Sequence, residues 1–243
     1  CTRPRRGVRG KELAAYVASG IDTDHESISW DEAKEKLRNG LAVLVREGSA
    51  SRNLTAILRG VIEEGIDVSS LAFCTDDKHL ADIRREGTIR HCVQMAIELG
   101  MEPVRALRLA TINAARIYGL RRVGAIAPGW QADLVVFDDL QSLTPRAVFH
   151  KGVDALKACE KITPVTPTAS LQGSVKPAAF SAETFSLSHF ADDREYPVIN
   201  MLPGEIFTEK STIMGKDIAA ALEKVTTKIE EAGIFPSLIM YAV

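Results

Sequence analysis

The sequence predicts an α/β fold in which parallel strands alternate with covering helices. Three observations predict it. The apolar runs Leu41-Ala42-Val43-Leu44-Val45 and Leu71-Ala72-Phe73-Cys74 have the character of strands buried on both faces. Segments with apolar residues at helical spacing alternate with these runs, with short connections between them. Polar clusters follow each strand directly: Asp24-His25-Glu26, Arg46-Glu47 and Asp76-Asp77. The carboxyl edge of a parallel sheet is where such folds keep their chemistry.

The elements follow in order. Lys11 to Ser19 reads as a short helix with Leu13, Ala14 and Val17 on one face and Gly20 as its stop. Ile21 to Thr23 is a short strand. Ser29-Trp30-Asp31-Glu32 has the form of a capping box, with Ser29 as N-cap and Glu32 three residues on. The helix that it opens is acidic at its start and basic towards Arg38, which suits the helix dipole, and stops at Gly40. After the strand at 41–45, Leu54, Ile57, Leu58, Val61 and Ile62 form one helical stripe ending at Gly65. After the strand at 71–74, Ile89, Cys92, Val93, Ala96 and Ile97 form another, ending at Gly100. A single helix is expected from Pro103, as the N1 proline, to Tyr118. Beyond it, Gly124 to Gly129 is turn-rich, Ala132 to Asp138 reads as a strand and Arg146 to His150 as its partner. Residues 162–174, rich in Thr, Ser and Pro, read as a linker. The tail has one strand around Tyr196 to Met201 and a helix from Ile218 to Ala232.

Composition bounds the function. The chain has 243 residues, 46% hydrophobic and 26% charged, which excludes a disordered or low-complexity chain. No apolar run approaches the length of a membrane span. Thirty basic residues against thirty-two acidic ones give a net charge of -2, so no global positive field exists to hold nucleic acid. Four cysteines, at 1, 74, 92 and 159, form no CxxC pair and read as free thiols in a reducing, cytoplasmic setting. The N-terminus is not a secretory signal, and without a starting Met the chain reads as beginning inside a longer protein. The length suits one (β/α)₈ barrel, but the alternation supplies only about three βα units.

Several polar residues invite chemistry. His25, between two carboxylates at a strand end, suits a metal ligand whose tautomer a neighbouring acid fixes; a loop histidine with solvated acids is the bland alternative. Asp76 and Asp77 point to opposite sides of an extended chain, so one at most faces a given metal. A carboxylate there can also act as general base. Arg46 and Glu47 suit a polar substrate or an ion pair closing the sheet edge. Arg52 and Asn53 suit an anion or a helix cap. His79 lies near the strand end, whereas His91, His150 and His189 read as structural. No GxGxxG, P-loop or HxE…PCxxC pattern occurs.

Taken together, Thr23-Asp24-His25-Glu26, Arg46-Glu47-Gly48-Ser49-Ala50, Phe73-Cys74-Thr75-Asp76-Asp77, Thr111-Ile112-Asn113-Ala114-Ala115 and Gly124-Ala125-Ile126-Ala127-Pro128-Gly129 followed by Ala132-Asp133-Leu134-Val135 resemble the bacterial adenine deaminases of the amidohydrolase superfamily. The resemblance covers residues 7–160 well and the tail in patches. It implies the C-terminal part of a TIM-like (β/α) barrel over residues 1–119, a β-sandwich segment over 120–161, the linker at 162–174 and an incomplete C-terminal α+β domain over 175–243. It implies hydrolysis of adenine to hypoxanthine and ammonia with Mn²⁺ or Fe²⁺. His25 and Asp76 are the implied metal ligands, Asp76 also the proton carrier, and Arg46, Glu47 and Asp77 the implied substrate-binding residues. Adenine is the expected partner, nucleic acid and membranes are not, and homo-oligomerisation is left open.

The sequence also departs from that pattern. Pro4 stands where the family has a metal-binding histidine, and neither the His-x-His pair nor the bridging glutamate of the family occurs in the chain. Near Lys216 the tail skips a glycine- and histidine-rich stretch. The expectation is therefore a truncated enzyme, inactive on its own, with an uncovered strand edge that promotes association. Two alternatives remain: an imidazolonepropionase-like or dihydroorotase-like amidohydrolase, and a non-catalytic fragment.

Overall fold

A computed structural model describes residues 7–155, 187–201 and 208–231, with Lys157, Thr166, Thr168, Lys176 and Ala179. The chain divides into two compact units, Cys1–Thr163 with Pro203–Ile206, and Pro164–Leu202 with Phe207–Val243. Apart from Thr166 and Thr168, the linker expected at 162–174 lies outside the described residues, as do Pro4, Cys1 and Cys159.

The first unit opens with α1 (Gly10–Ala18), β1 (Thr23–Asp24), α2 (Trp30–Arg38), β2 (Ala42–Arg46), α3 (Leu54–Glu63) and β3 (Leu71–Cys74). The three strands form one parallel sheet in the order β1-β2-β3. Thr23 pairs with Ala42, Val43 with Leu71, and Arg46 with Cys74. This is the α/β arrangement that the buried apolar runs predict. Alternation along β2 sends Val43 and Val45 to one face, where they join Leu71 and Phe73 of β3. Leu54, Ile57, Leu58 and Val61 of α3 pack into the same core. Each such side chain contributes roughly 1.5–3 kcal/mol on burial. Leu44 and Arg46 occupy the opposite face of β2.

Three helices were not anticipated in this form. α4 (Leu80–Glu86) follows β3 and has no buried residue, so no apolar stripe announces it. α5 (Ile89–Glu98) matches its predicted stripe and buries Cys92, Val93 and Ala96. The single helix expected at 103–118 is two, α6 (Pro103–Leu109) and α7 (Ile112–Ile117). Thr111 breaks it: its hydroxyl donates to Leu107 O at 2.7 Å, and its backbone leaves the helical region at φ -132°, ψ -99°. The break turns Asn113 inward. Its buried amide donates to Val68 O at 2.6 Å and Leu71 O at 3.1 Å, pinning α7 to the entry of β3.

Charge, rather than oil, fastens α2 to β1. Lys36 is 1% exposed. Its ammonium lies 2.9 Å from Asp24 Oδ2 and 3.0 Å from Glu32 Oε1. Asp24 Oδ2 also accepts the Ser27 hydroxyl and N–H. The predicted capping box is half formed. Ser29 Oγ accepts the Glu32 N–H at 3.4 Å, but the Glu32 carboxylate accepts from Ile28 N–H and Gly7 N–H instead.

The unit continues with an antiparallel sheet, β4 (Leu134–Phe137), β5 (Pro145–His150) and β6 (Val153–Asp154), in that order. A register shift between Val136 and Phe137 lets Phe137 pack, with the fully buried Leu143, against the α/β core. In the second unit β7 (Glu195–Met201) pairs antiparallel with β8 (Thr208–Met214), and α8 (Gly215–Glu231) follows. β8 was not anticipated, because its sequence Thr-Glu-Lys-Ser-Thr-Ile-Met carries no apolar alternation.

Replacing Lys36 with Met leaves two buried carboxylates without a counter-charge. This variant is expected to lose about 3–5 kcal/mol in urea denaturation. Arg38→Ala, on the exposed side of the same helix, is expected to stay within about 0.5 kcal/mol of the parent.

Candidate active site

The parallel register sets three strand ends side by side, and one arginine joins them. Arg46, the last residue of β2, is 1% exposed. Its NH1 donates to Asp76 Oδ2, beyond β3, at 2.9 Å. Its NH2 lies 3.7 Å from Glu26 Oε2, beyond β1. Glu26 Oε1 in turn lies 3.4 Å from His25 Nε2. The sequence singled out Asp24 and Glu26 as flanks of His25; the structure makes Glu26 the neighbour of the imidazole and gives Asp24 to Lys36 below. Arg46 Nε and NH2 have no hydrogen-bond partner among the described residues. Asp76 is exposed and has a left-handed backbone, φ 46°, uncommon for a residue with a side chain. That turn is what separates Asp76 from Asp77.

Glu47 and Asp77 face elsewhere. The Asp77 carboxylate accepts the Ala50 N–H at 2.8 Å. Its other oxygen sits where a Cβ on Gly48 would stand, so position 48 has room only for glycine. Glu47 pairs with Arg52 in a bridge that closes the 47–52 loop, and Gly48 N–H donates to Ser51 O at 2.8 Å. Ser49 Oγ accepts the His79 N–H at 2.8 Å and is bonded to Asp82. The loop after β2 is thus clamped to the segment after β3.

Behind the loop lies a charged cluster that sequence reasoning missed. Glu47 is buried, and burial pushes its carboxyl above the usual range, with Arg52 at 3.7 Å opposing. Glu86 accepts from Lys78 at 2.6 Å and from Arg85 at 2.8 Å. The Lys78 hydrogen bond holds the Glu86 carboxyl down at about 2. Arg52 joins this cluster at 3.4 Å from Glu86, and His91 stands at 3.8 Å. Asn53 is the N-cap of α3 but makes no side-chain cap bond. No periodicity signals these partners, since they meet only through the fold. Burial raises the thiols of Cys74 and Cys92 to about 12, in keeping with inert free cysteines. His150 sits 3.1 Å from Asp133, away from the strand ends in sequence and in pairing.

His25 and Asp76 offer an imidazole nitrogen and a carboxylate to a metal. Among the described residues, however, no three His, Cys, Asp or Glu side chains converge to hold one. Asp76 Oδ2 is moreover taken by a guanidinium. The described residues therefore do not by themselves fit a complete metal centre.

Sheet order and strand-end site define a parallel α/β protein with its polar groups gathered at the carboxyl edge. A profile of the Amidohydrolase family matches residues 13–171, and the chain belongs to that family. It is 44% identical over 203 residues to an adenine deaminase of Desulfitobacterium hafniense (strain Y51), covering 83% of this chain and 35% of that protein. It is 44% identical over 205 residues to one of Sinorhizobium fredii (strain NBRC 101917 / NGR234), again 83% and 35%. The chain thus spans about a third of the length of these curated relatives. Among solved structures it is similar to a beta-aspartyl dipeptidase of Fervidobacterium islandicum AW-1, with TM-score 0.47 and 20% identity over 63% of this chain and 45% of that one. No helix among the described residues is long and apolar enough to cross a membrane.

Gly48→Ala is expected to cost about 1–3 kcal/mol, because the new methyl displaces the Asp77 carboxylate. Adding Asp77→Ala should recover part of that loss, a coupling that a double-mutant cycle reads. The depressed Glu86 carboxyl contributes stability that is fully present above its unfolded value of 4.5 and is lost as pH falls towards about 2. Glu86→Gln should therefore lower stability at neutral pH and flatten the acid limb of a stability–pH curve. Glu47, shifted upwards, has the opposite sign: Glu47→Gln should leave neutral-pH stability unchanged or raise it.

Proposed function

We propose that this chain is the strand-end portion of an adenine deaminase. Such an enzyme hydrolyses adenine to hypoxanthine and ammonia. The observation that carries the reading is the convergence of Glu26, Arg46 and Asp76 from three strand ends. The substrate follows from the similarity to adenine deaminases. In the reaction water adds at C6, the C6–O bond forms, and the bond to the exocyclic amine breaks. A base must accept the proton of the water and return one to the departing amine.

Asp76 has that role in this reading. Arg46 holds its Oδ2, which leaves Oδ1 to take the proton and pass it on. His25, steadied by Glu26, stands on the other side of Arg46 and fixes the polar edge of the site. Arg46 orients the purine, and Glu47 and Asp77 act on substrate through the 47–52 loop that they anchor. The reading assigns a divalent metal, manganese or iron, to the intact site, with His25 and Asp76 as the donors this chain offers. Two donors do not make a centre, so the chain's own part is proton transfer and positioning. In the same reading residues 1–119 belong to a TIM-like barrel of a cytoplasmic enzyme, and the β4-β5-β6 sheet belongs to a β-sandwich.

A second reading is favoured by one observation, the lack of three convergent metal-type side chains among the described residues: the chain alone is not catalytic. Both are tested together. The 243-residue chain, incubated with manganese or iron and desalted, should retain well under one equivalent of metal and form no hypoxanthine from adenine. A longer polypeptide that contains it should deaminate adenine but not dihydroorotate. Asp76→Asn in that polypeptide should lower kcat by about 10²–10⁴-fold. Turnover by the chain alone defeats the second reading, and turnover of the cyclic amide in place of adenine defeats the first.

A further inference from the structure

An open cavity of the first unit is lined by residues outside the strand-end site. It is shallow and open to solvent, has a volume of about 530 Å³, and is lined by Arg121, Arg122, Gly129, Trp130, Gln131, Ala132 and Lys151. Backbone hydrogen bonds shape it. Gln131 N–H donates to Arg122 O at 2.8 Å, Trp130 N–H to Ala127 O at 3.1 Å, and Gly152 N–H to Ala132 O at 2.9 Å. These join the approach to β4 with the turn between β5 and β6.

Three cationic side chains share this wall, and among the described residues none of them forms an ion pair. Asp133, next to Ala132 of this wall, is already engaged. It accepts the Lys151 N–H at 2.8 Å, faces His150 Nδ1 at 3.1 Å and accepts from the Gln131 amide. Among the described residues the wall therefore keeps its positive charge, and like charges gathered in this way favour an anion.

The backbone is left-handed at two of these cations. Arg122 has φ 58° and Lys151 has φ 50°. Only four non-glycine residues among those described are left-handed, the other two being Asp76 and Leu143, and two of the four line this one cavity. Glycine adopts that conformation freely and L side chains do so at a cost. Local stability would be better served by glycine at both turns, so the two cations stand at the cavity in spite of the backbone. Trp130, half-buried, supplies an aromatic surface beside them. Cations and indole together suit a ligand that has both an anionic and a flat aromatic part.

We propose that this cavity binds a nucleoside 5′-phosphate, with Arg121, Arg122 and Lys151 at the phosphate and Trp130 against the base. The site is separate from the strand-end chemistry and does not rest on the deaminase reading.

The test uses the whole 243-residue chain with AMP as the probe. The ¹H–¹⁵N indole signals of Trp30 and Trp130 are assigned with Trp130→Phe. AMP should shift the Trp130 signal saturably and leave that of Trp30 in place. Inorganic phosphate should bind more weakly than AMP, and adenosine should not bind. Arg122→Gly with Lys151→Gly should weaken AMP by about tenfold, the loss of two partly screened charge contacts. Because glycine suits both backbone positions, the melting temperature of the double variant should hold or rise. The proposal is overturned by an unsaturable or absent Trp130 response, by adenosine binding as well as AMP, by phosphate matching AMP, or by a stable double variant that binds AMP as the parent does.

Discussion

Lys36 Nζ stands between Asp24 and Glu32 beneath the first strand, with all three groups sealed from solvent. A buried ammonium and two buried carboxylates gain little net stability over apolar residues of the same volume, since desolvation consumes most of the Coulombic gain. They do tolerate very few arrangements. The triad holds the end of β1 to α2, and through Glu32 it reaches back to Gly7 ahead of α1. With Asp24 committed downwards, the next two residues leave the strand at a set height, and those are His25 and Glu26. The polar edge of the site is thus set from below by a charge that the site does not contain.

Arg46 is the upper counterpart. It is the only buried residue that reaches both the β1 and the β3 strand ends among the contacts described, and parallel register is what makes this reach possible. Its planar fork spreads the charge over both sides, so that one carboxylate is met by a hydrogen bond and the other by charge at longer range. The Gly48–Asp77 contact supports it from the side by holding the loop that continues β2. Rigid strands, a clamped loop and a guanidinium with donors to spare give the candidate site a fixed framework.

The α/β class and the main strands were legible because burial on both faces leaves a continuous apolar run, and because α3 and α5 each bury one stripe. The strand-end clusters were legible for the same reason, since an abrupt change from apolar to charged marks where a strand meets solvent. Asn113 stood out only within the stretch Thr111 to Ala115 that carries the family resemblance; its clamp on Val68 and Leu71 depends on a helix break that Thr111 imposes on an otherwise helical pattern. α4 and β8 left no trace, since an element that buries nothing has no periodicity to read. The partners of Glu47 and Asp77 were equally hidden. Adjacent residues in sequence diverge at the left-handed Asp76, and the cluster of Lys78, Glu86 and Arg52 gathers residues far apart along the chain.

The register shift before Phe137 carries a consequence for the order in which the chain folds. Phe137 and Leu143 reach from the small antiparallel sheet into the core built by α3, α5 and the parallel strands. Apart from these two, every described member of that core precedes β4, which begins at Leu134. During synthesis, which proceeds from the N-terminus, the receiving surface therefore exists before its two apolar plugs emerge. Among the described residues the small sheet has no core of its own to nucleate on, and its assembly waits on a template that the ribosome has already delivered.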